Sequence, residues 1–205
     1  MNIKEIKDEF ISLLKSTARE GIDYVIEDLE KLGFFEAPAS SKHHLDCEGG
    51  LAAHSLNVCK AGLMLREQMI AMKPEMKDYM PKNSVIIASL LHDVCKADIY
   101  KKAVKKRKNS YGNWEDYDGY DVDYSNFPMG HGEKSVIVLL LSGLEMTDDE
   151  MLAIRWHMTA WDLPFQSAEL KNCLNTARNK SPLCSLIQSA DTIAANILEW
   201  KKEEE

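Results

Sequence analysis

One stretch limits the fold more than any other. Ser84-Val-Ile-Ile-Ala-Ser-Leu-Leu91 reads as a strongly apolar helix, and it runs directly into His92-Asp93. An ionised carboxylate at the end of such a helix is costly unless it is paired or bound to a metal. The run therefore calls for other elements packed around it, and Asp93 for partners carried on those elements.

The remaining chain supplies helices almost throughout. Ile3, Ile6, Phe10, Leu13 and Leu14 recur at three and four residues and predict an amphipathic helix of about four turns. A second helix runs from Ile22 to Leu32 and stops at Gly33. Gly49-Gly50 releases a third over 51–72, which Pro74 ends. Pro81-Lys-Asn-Ser opens the fourth, with a buried run over 85–94. Helix resumes near Glu133 and continues to Leu141. Thr147-Asp-Asp-Glu150 forms a capping box before 151–158, and Ser181-Pro182 starts the last long helix. Residues 101–126 break this pattern. Tyr111-Gly-Asn-Trp, Asp118-Gly-Tyr and the alternation of Tyr120-Asp-Val-Asp-Tyr124 predict a β-hairpin or ordered lid. The expectation is an all-α bundle with a small hairpin insertion: one domain over 1–200, with N-terminal helices in 1–40 and a charged tail at 201–205.

Composition removes several classes. With 205 residues, 45% hydrophobic and 28% charged, the chain suits a globular domain and neither a disordered segment nor a stapled mini-fold. No apolar stretch approaches the roughly 20 residues that cross a bilayer. The opening Met-Asn-Ile-Lys-Glu lacks a secretory signal, so a soluble cytoplasmic protein is expected. The cysteines at 47, 59, 95, 173 and 184 form no CxxC pair and read as reduced, buried thiols. A net charge of −8 argues against coating an extended nucleic-acid duplex and leaves room for one local basic patch.

Six histidines occur, at 43, 44, 54, 92, 131 and 157. His54 lies in Gly49-Gly-Leu-Ala-Ala-His, His157 in Ala153-Ile-Arg-Trp-His and Asp191 in Ile187-Gln-Ser-Ala-Asp-Thr-Ile. Each is a polar group embedded in an apolar helix, and each helix is a different one. Bundles build metal sites in this way, and imidazole with carboxylate suits Fe, Mn, Zn, Ni or Co, with no thiolate set for a structural zinc.

The order His54, His92-Asp93, Asp191 resembles the H…HD…D signature of the HD-domain metal-dependent phosphohydrolases, over roughly residues 40–200. With His131 and His157 added, the pattern is similar to the two-metal H…HD…H…H…D members. His43-His44 ahead of Gly49-Gly50-Leu51 and His54, together with Gly130-His131, resembles the flanks of HD-type 3′–5′ exoribonucleases. The resemblance implies His54, His92, Asp93 and Asp191 on one metal. Asp93 would bridge to a second metal held by His131 and His157, with Fe or Mn foremost. It also implies attack on phosphorus by a metal-bound hydroxide, with Asp93 at the catalytic centre and Lys96 as the HDxxK lysine that anchors a phosphate. One turn on, Lys96 would share nearly the same helix face as His92 and Asp93. His157 is followed by Met158, which does not suit the His-His subtype that cleaves cyclic di-GMP.

Lys101-Lys-Ala-Val-Lys-Lys-Arg-Lys108 holds six cations in eight residues, followed by Tyr111, Trp114, Tyr117, Tyr120 and Tyr124. Lys105, Arg107 and Trp114 could clamp phosphates and stack a base; equally, the cations could pair with the acidic return strand. His44, Trp161 and Asp162 are further candidates for the pocket. The expected activity is hydrolysis of a phosphomonoester or phosphodiester in a nucleotide or short nucleic acid, without a membrane, with a homodimer as a possible assembly. The alternatives are a di-iron oxygenase on the same fold and a non-catalytic HD scaffold.

Overall fold

The computed structural model describes residues 2–159 and 167–201. Its helices are α1 (Ile3–Ser16), α2 (Ile22–Leu32), α3 (Gly50–Met72), the short α4 (Met76–Tyr79), α5 (Lys82–Leu91), α6 (His131–Leu141), α7 (Asp148–Trp156), α8 (Ala168–Lys180) and α9 (Pro182–Ile193). A 3-10 turn covers Val94–Asp98 and a π-helical turn Ala194–Leu198. Strands β1 (Tyr100–Lys108) and β2 (Trp114–Val122) pair antiparallel, with Tyr100 opposite Val122 and Lys108 opposite Trp114. The chain is therefore mostly helical with one small hairpin. No helix among the described residues is long and apolar enough to cross a membrane.

α5 is the hub. Every residue from Ser84 to Leu91 is buried, as its lack of a polar face requires, and α1, α3, α7 and α9 pack around it. α3, about 34 Å long at 1.5 Å per residue, runs beside both α5 and α9, approaching α5 closely because Gly62 sits over Val85 and Ser89. Phe10, Phe34 and Phe35 close the N-terminal side with ring centroids 5.2–5.4 Å apart. The Thr147–Glu150 capping box forms as the sequence predicts. Its Glu150, fully buried, also accepts two hydrogen bonds from Arg19 at 2.8 and 2.9 Å, which ties the segment after α1 to the start of α7.

Several local expectations need correction. α5 ends at Leu91, and Asp93 (φ −107°, ψ 19°) leaves the α-helix. Lys96 thus reaches Asp93 through a 3-10 turn rather than through helical periodicity. α8 was not evident in the sequence because only Leu174 and Ala177 of its thirteen residues are buried, too few to print an apolar stripe. All five cysteines are free; Cys59, Cys95 and Cys184 are buried, but Cys47 and Cys173 are exposed, on the loop before α3 and on the outer side of α8. Trp161, Asp162 and residues 202–205 of the charged tail lie outside the described residues.

Candidate metal centre

Five elements deliver six polar groups to the same end of the bundle, two of them from the end of α5. His54 sits in the second turn of α3, and His92 caps the C-terminus of α5 with Asp93 just beyond it. His131 opens α6, His157 caps the C-terminus of α7, and Asp191 lies in the last turn of α9. Burying these groups on separate helices keeps each helix otherwise apolar. Gly132 makes one approach possible: a Cβ there would overlap the Arg155 carbonyl, so only glycine lets the start of α6 meet the end of α7. The rings form an arc, with centroids 4.8 Å apart for His44–His54, 5.4 Å for His54–His92, 4.8 Å for His92–His157 and 5.2 Å for His157–His131.

Asp93 is the focus of that arc. Its Oδ1 lies 2.6 Å from His131 Nε2 and 3.3 Å from His157 Nε2. Its Oδ2 lies 2.6 Å from Lys96 Nζ, 3.3 Å from His92 Nε2 and 3.9 Å from His54 Nε2. Burial alone would raise this carboxyl, but the Lys96 ammonium and the His92 and His131 imidazoles hold it well below the usual range. Asp191, 3.1 Å from His54 Nε2, is likewise held low against burial by that hydrogen bond and the surrounding histidines.

Two imidazoles are arranged as ligands. His92 Nδ1 donates to the Ser89 carbonyl at 2.8 Å, and His157 Nδ1 to the Ile154 carbonyl at 2.7 Å. These bonds commit Nδ1 as a donor and turn each Nε2 toward Asp93. Both Nε2 atoms are buried beside Asp93 and have no hydrogen-bond partner. Unpaired buried polar atoms are costly. An imidazole whose far nitrogen is tied to a carbonyl while the near one faces a carboxylate is the arrangement metal ligands adopt. His54, His92 and Asp191, and separately His92, Asp93 and His157, each place ligand atoms within 4.8 Å of one another. The donor set fits divalent metals.

His54 and His131 differ from that pair in bonding charged partners directly. Burial works against their charged forms, yet Asp191 and Glu199 raise His54 to about 9, and Cys95 and Asp93 raise His131 to about 9. Cys95 adds a sulfur beside the site: its Sγ lies 3.2 Å from His131 Nδ1, and Asp93, Cys95 and His131 form another group of possible ligands. Lys96, half-buried beside Asp93, is pushed up by that carboxylate against the effect of burial. Glu199 was not read from the sequence at all. It follows the π-helical turn and receives the His54 Nδ1 proton at 3.0 Å.

A cleft of about 230 Å³ opens onto this cluster, with Lys96, His157, Asp191, His44, Gln188 and Asn196 among its walls. The half-buried His44 is kept neutral by burial and by neighbouring His54 and Lys96, which lower it to about 4. Lys105, Arg107 and Trp114 do not line this cleft. Lys105 pairs with Asp121 at 3.0 Å, and Arg107 with Glu115 at 2.7 Å while lying over the Tyr117 ring. Trp114 is 67% exposed beneath Lys108.

The fold and the site together define a helical bundle with a buried His/Asp cluster capable of holding metal. Comparison of the chain with family models, curated proteins and solved structures returned no match in any of the three.

Proposed function

We propose that this chain is a divalent-metal-dependent phosphohydrolase of the HD type, cleaving a phosphoester bond of a nucleotide or short nucleic acid. The observation that carries the reading is the pair of buried, unpartnered Nε2 atoms of His92 and His157 facing Asp93. A protein with no use for a metal would leave these lone pairs stranded at a cost of about 1–3 kcal/mol each.

His54, His92, Asp93 and Asp191 would hold one metal, and His131 and His157, sharing Asp93, the second. Fe and Mn suit these ligands best, ahead of Zn, Ni and Co. Metals in such a pair lower the pKa of water and neutralise phosphoryl oxygens. The chain's own residues do the rest. Lys96 lines the cleft with its ammonium 2.6 Å from Asp93, ready to bind a phosphate oxygen. His44, neutral and with Nε2 unpartnered, offers a hydrogen bond to the substrate. Burial excludes competing solvent from Asp93. Free thiols at all five cysteines suit a reducing cytoplasm.

Metal per chain, measured by plasma mass spectrometry on tag-free protein purified without chelators, tests the reading. Two equivalents falling to one in a His131→Ala/His157→Ala variant is the expected result, followed by phosphate release from a nucleotide panel with Mn or Fe. Lys96→Ala should then lower kcat/KM by about 100-fold, the scale of losing one anionic-charge stabiliser. A chain that carries no metal and releases no phosphate overturns the proposal.

A further inference from the structure

The cluster contains a carboxylate that the ligand set does not use. Glu199 has a side chain only 1% exposed, and both of its oxygens lie 3.0 Å from His54 Nδ1. Asn57, three residues along α3 from His54, donates to Glu199 Oε1 at 3.0 Å. The carboxylate is therefore held on two sides by α3.

Its route to that position is unusual. Residue 199 stands eight positions after Asp191, so an unbroken α-helix would carry it about 80° around the axis from the Asp191 face. The wider turn over Ala194–Leu198, closed by the Glu199 amide donating to the Ala194 carbonyl at 3.0 Å, takes up part of that rotation. One segment thus brings two carboxylates to one imidazole, Asp191 at Nε2 (3.1 Å) and Glu199 at Nδ1. Single π turns inside or after α-helices recur at functional sites.

We propose that Glu199 is the positioning residue of His54. By accepting the Nδ1 proton it fixes the tautomer and the ring plane, so that Nε2 is presented toward Asp93 and Asp191. Carbonyls do the same for His92 and His157, but the carbonyl i−3 to His54 lies in the first turn of α3, and a carboxylate from a distant segment serves in its place. This inference rests on the metal reading above.

Isothermal titration of Mn into metal-free protein tests it, with wild type beside Glu199→Ala, Glu199→Gln and Asn57→Ala. Loss of an outer-shell partner typically weakens metal binding by about 10- to 100-fold, which is the loss expected for Glu199→Ala. Glu199→Gln keeps an acceptor of the same size and should recover most of it. Asn57→Ala, which unbraces the carboxylate, should raise Kd several-fold, and it decides the matter if the alanine variant of Glu199 does not fold. A residue that only anchors its own segment would lower the melting temperature and leave Kd unchanged; that result overturns the inference while the metal reading stands. Wild type that takes up no Mn overturns both.

Discussion

The end of the bundle and the hairpin treat polar side chains in opposite ways. At the bundle end, histidines and carboxylates from separate helices are gathered out of solvent, and three ring nitrogens, on His44, His92 and His157, are left without a partner. In the hairpin the charge density is higher, yet the half-buried Lys105 and the exposed Arg107 both meet acidic residues of the return strand. Chemistry is expected where polar groups are buried and unsatisfied, because protein that could have satisfied them did not. A dense run of cations that neutralises itself at the surface carries no such signal.

Four experiments would break or sharpen this contrast. Asp93→Asn strikes the focus of the cluster, where every neighbouring ligand converges. It should abolish metal retention and lower phosphohydrolysis by well over 100-fold, beyond the cost of outer-shell changes. Retained metal and turnover would place the chemistry elsewhere.

The second concerns pH. In metal-free protein His54 and His131 are each raised from 6.5 to about 9. The stability they contribute is then complete below about 6.5 and is lost as pH rises through about 9. Metal requires unprotonated rings, so Mn affinity should climb over the same window, by up to about tenfold per pH unit for each proton displaced. Thermal unfolding with and without Mn, followed from about pH 6 to 8.5, should show a metal-free melting temperature that falls while the Mn-induced gain grows. A gain that shrinks with pH contradicts the arrangement.

Gly132→Ala comes next. The added methyl meets the Arg155 carbonyl, and overpacking of this kind costs about 1–3 kcal/mol. Chemical denaturation should register that loss together with weaker binding of the metal that His131 would hold. The smallest effect belongs to the hairpin. Replacing Lys105 and Arg107 by alanine should change stability by no more than about 1 kcal/mol and kcat/KM by less than about twofold. A loss beyond about tenfold would make the hairpin part of the substrate site after all.

Much of this architecture was legible because polar residues interrupt apolar helices. His54, His157 and Asp191 stand out against their neighbours, and the fold brings them together with His92, Asp93 and His131. Glu199 was not legible. It lies in Leu198-Glu-Trp-Lys-Lys, where a glutamate reads as solvated, and only the π turn carries it inward. Cys95 read as one more core thiol, since nothing in the sequence sets it beside His131. α8 escaped for the opposite reason, being helical with hardly any buried face. Lys134, 4% exposed, was equally hidden: its ammonium is satisfied by Asp98 at 2.7 Å, in the turn that enters the hairpin, and by the Asn126 carbonyl at 2.9 Å, in the loop that leaves it.

The spread of the cluster along the chain, from His54 on α3 to Glu199 beyond α9, has a consequence for assembly. His54, His92, His131, His157 and Asp191 are well separated in sequence, so closing the cluster incurs loop-closure entropy that local helix formation does not. During synthesis the first five proposed ligands emerge well before Asp191 and Glu199, and until then a captured ion would meet an incomplete and solvent-filled set. On the proposed metal reading, loading would come at the close of folding, after α9 has docked on α3. A metal-starved cell would accumulate a chain with its helices formed and only this last seam still breathing, detectable as hydrogen exchange concentrated in α9 and the turn that follows it.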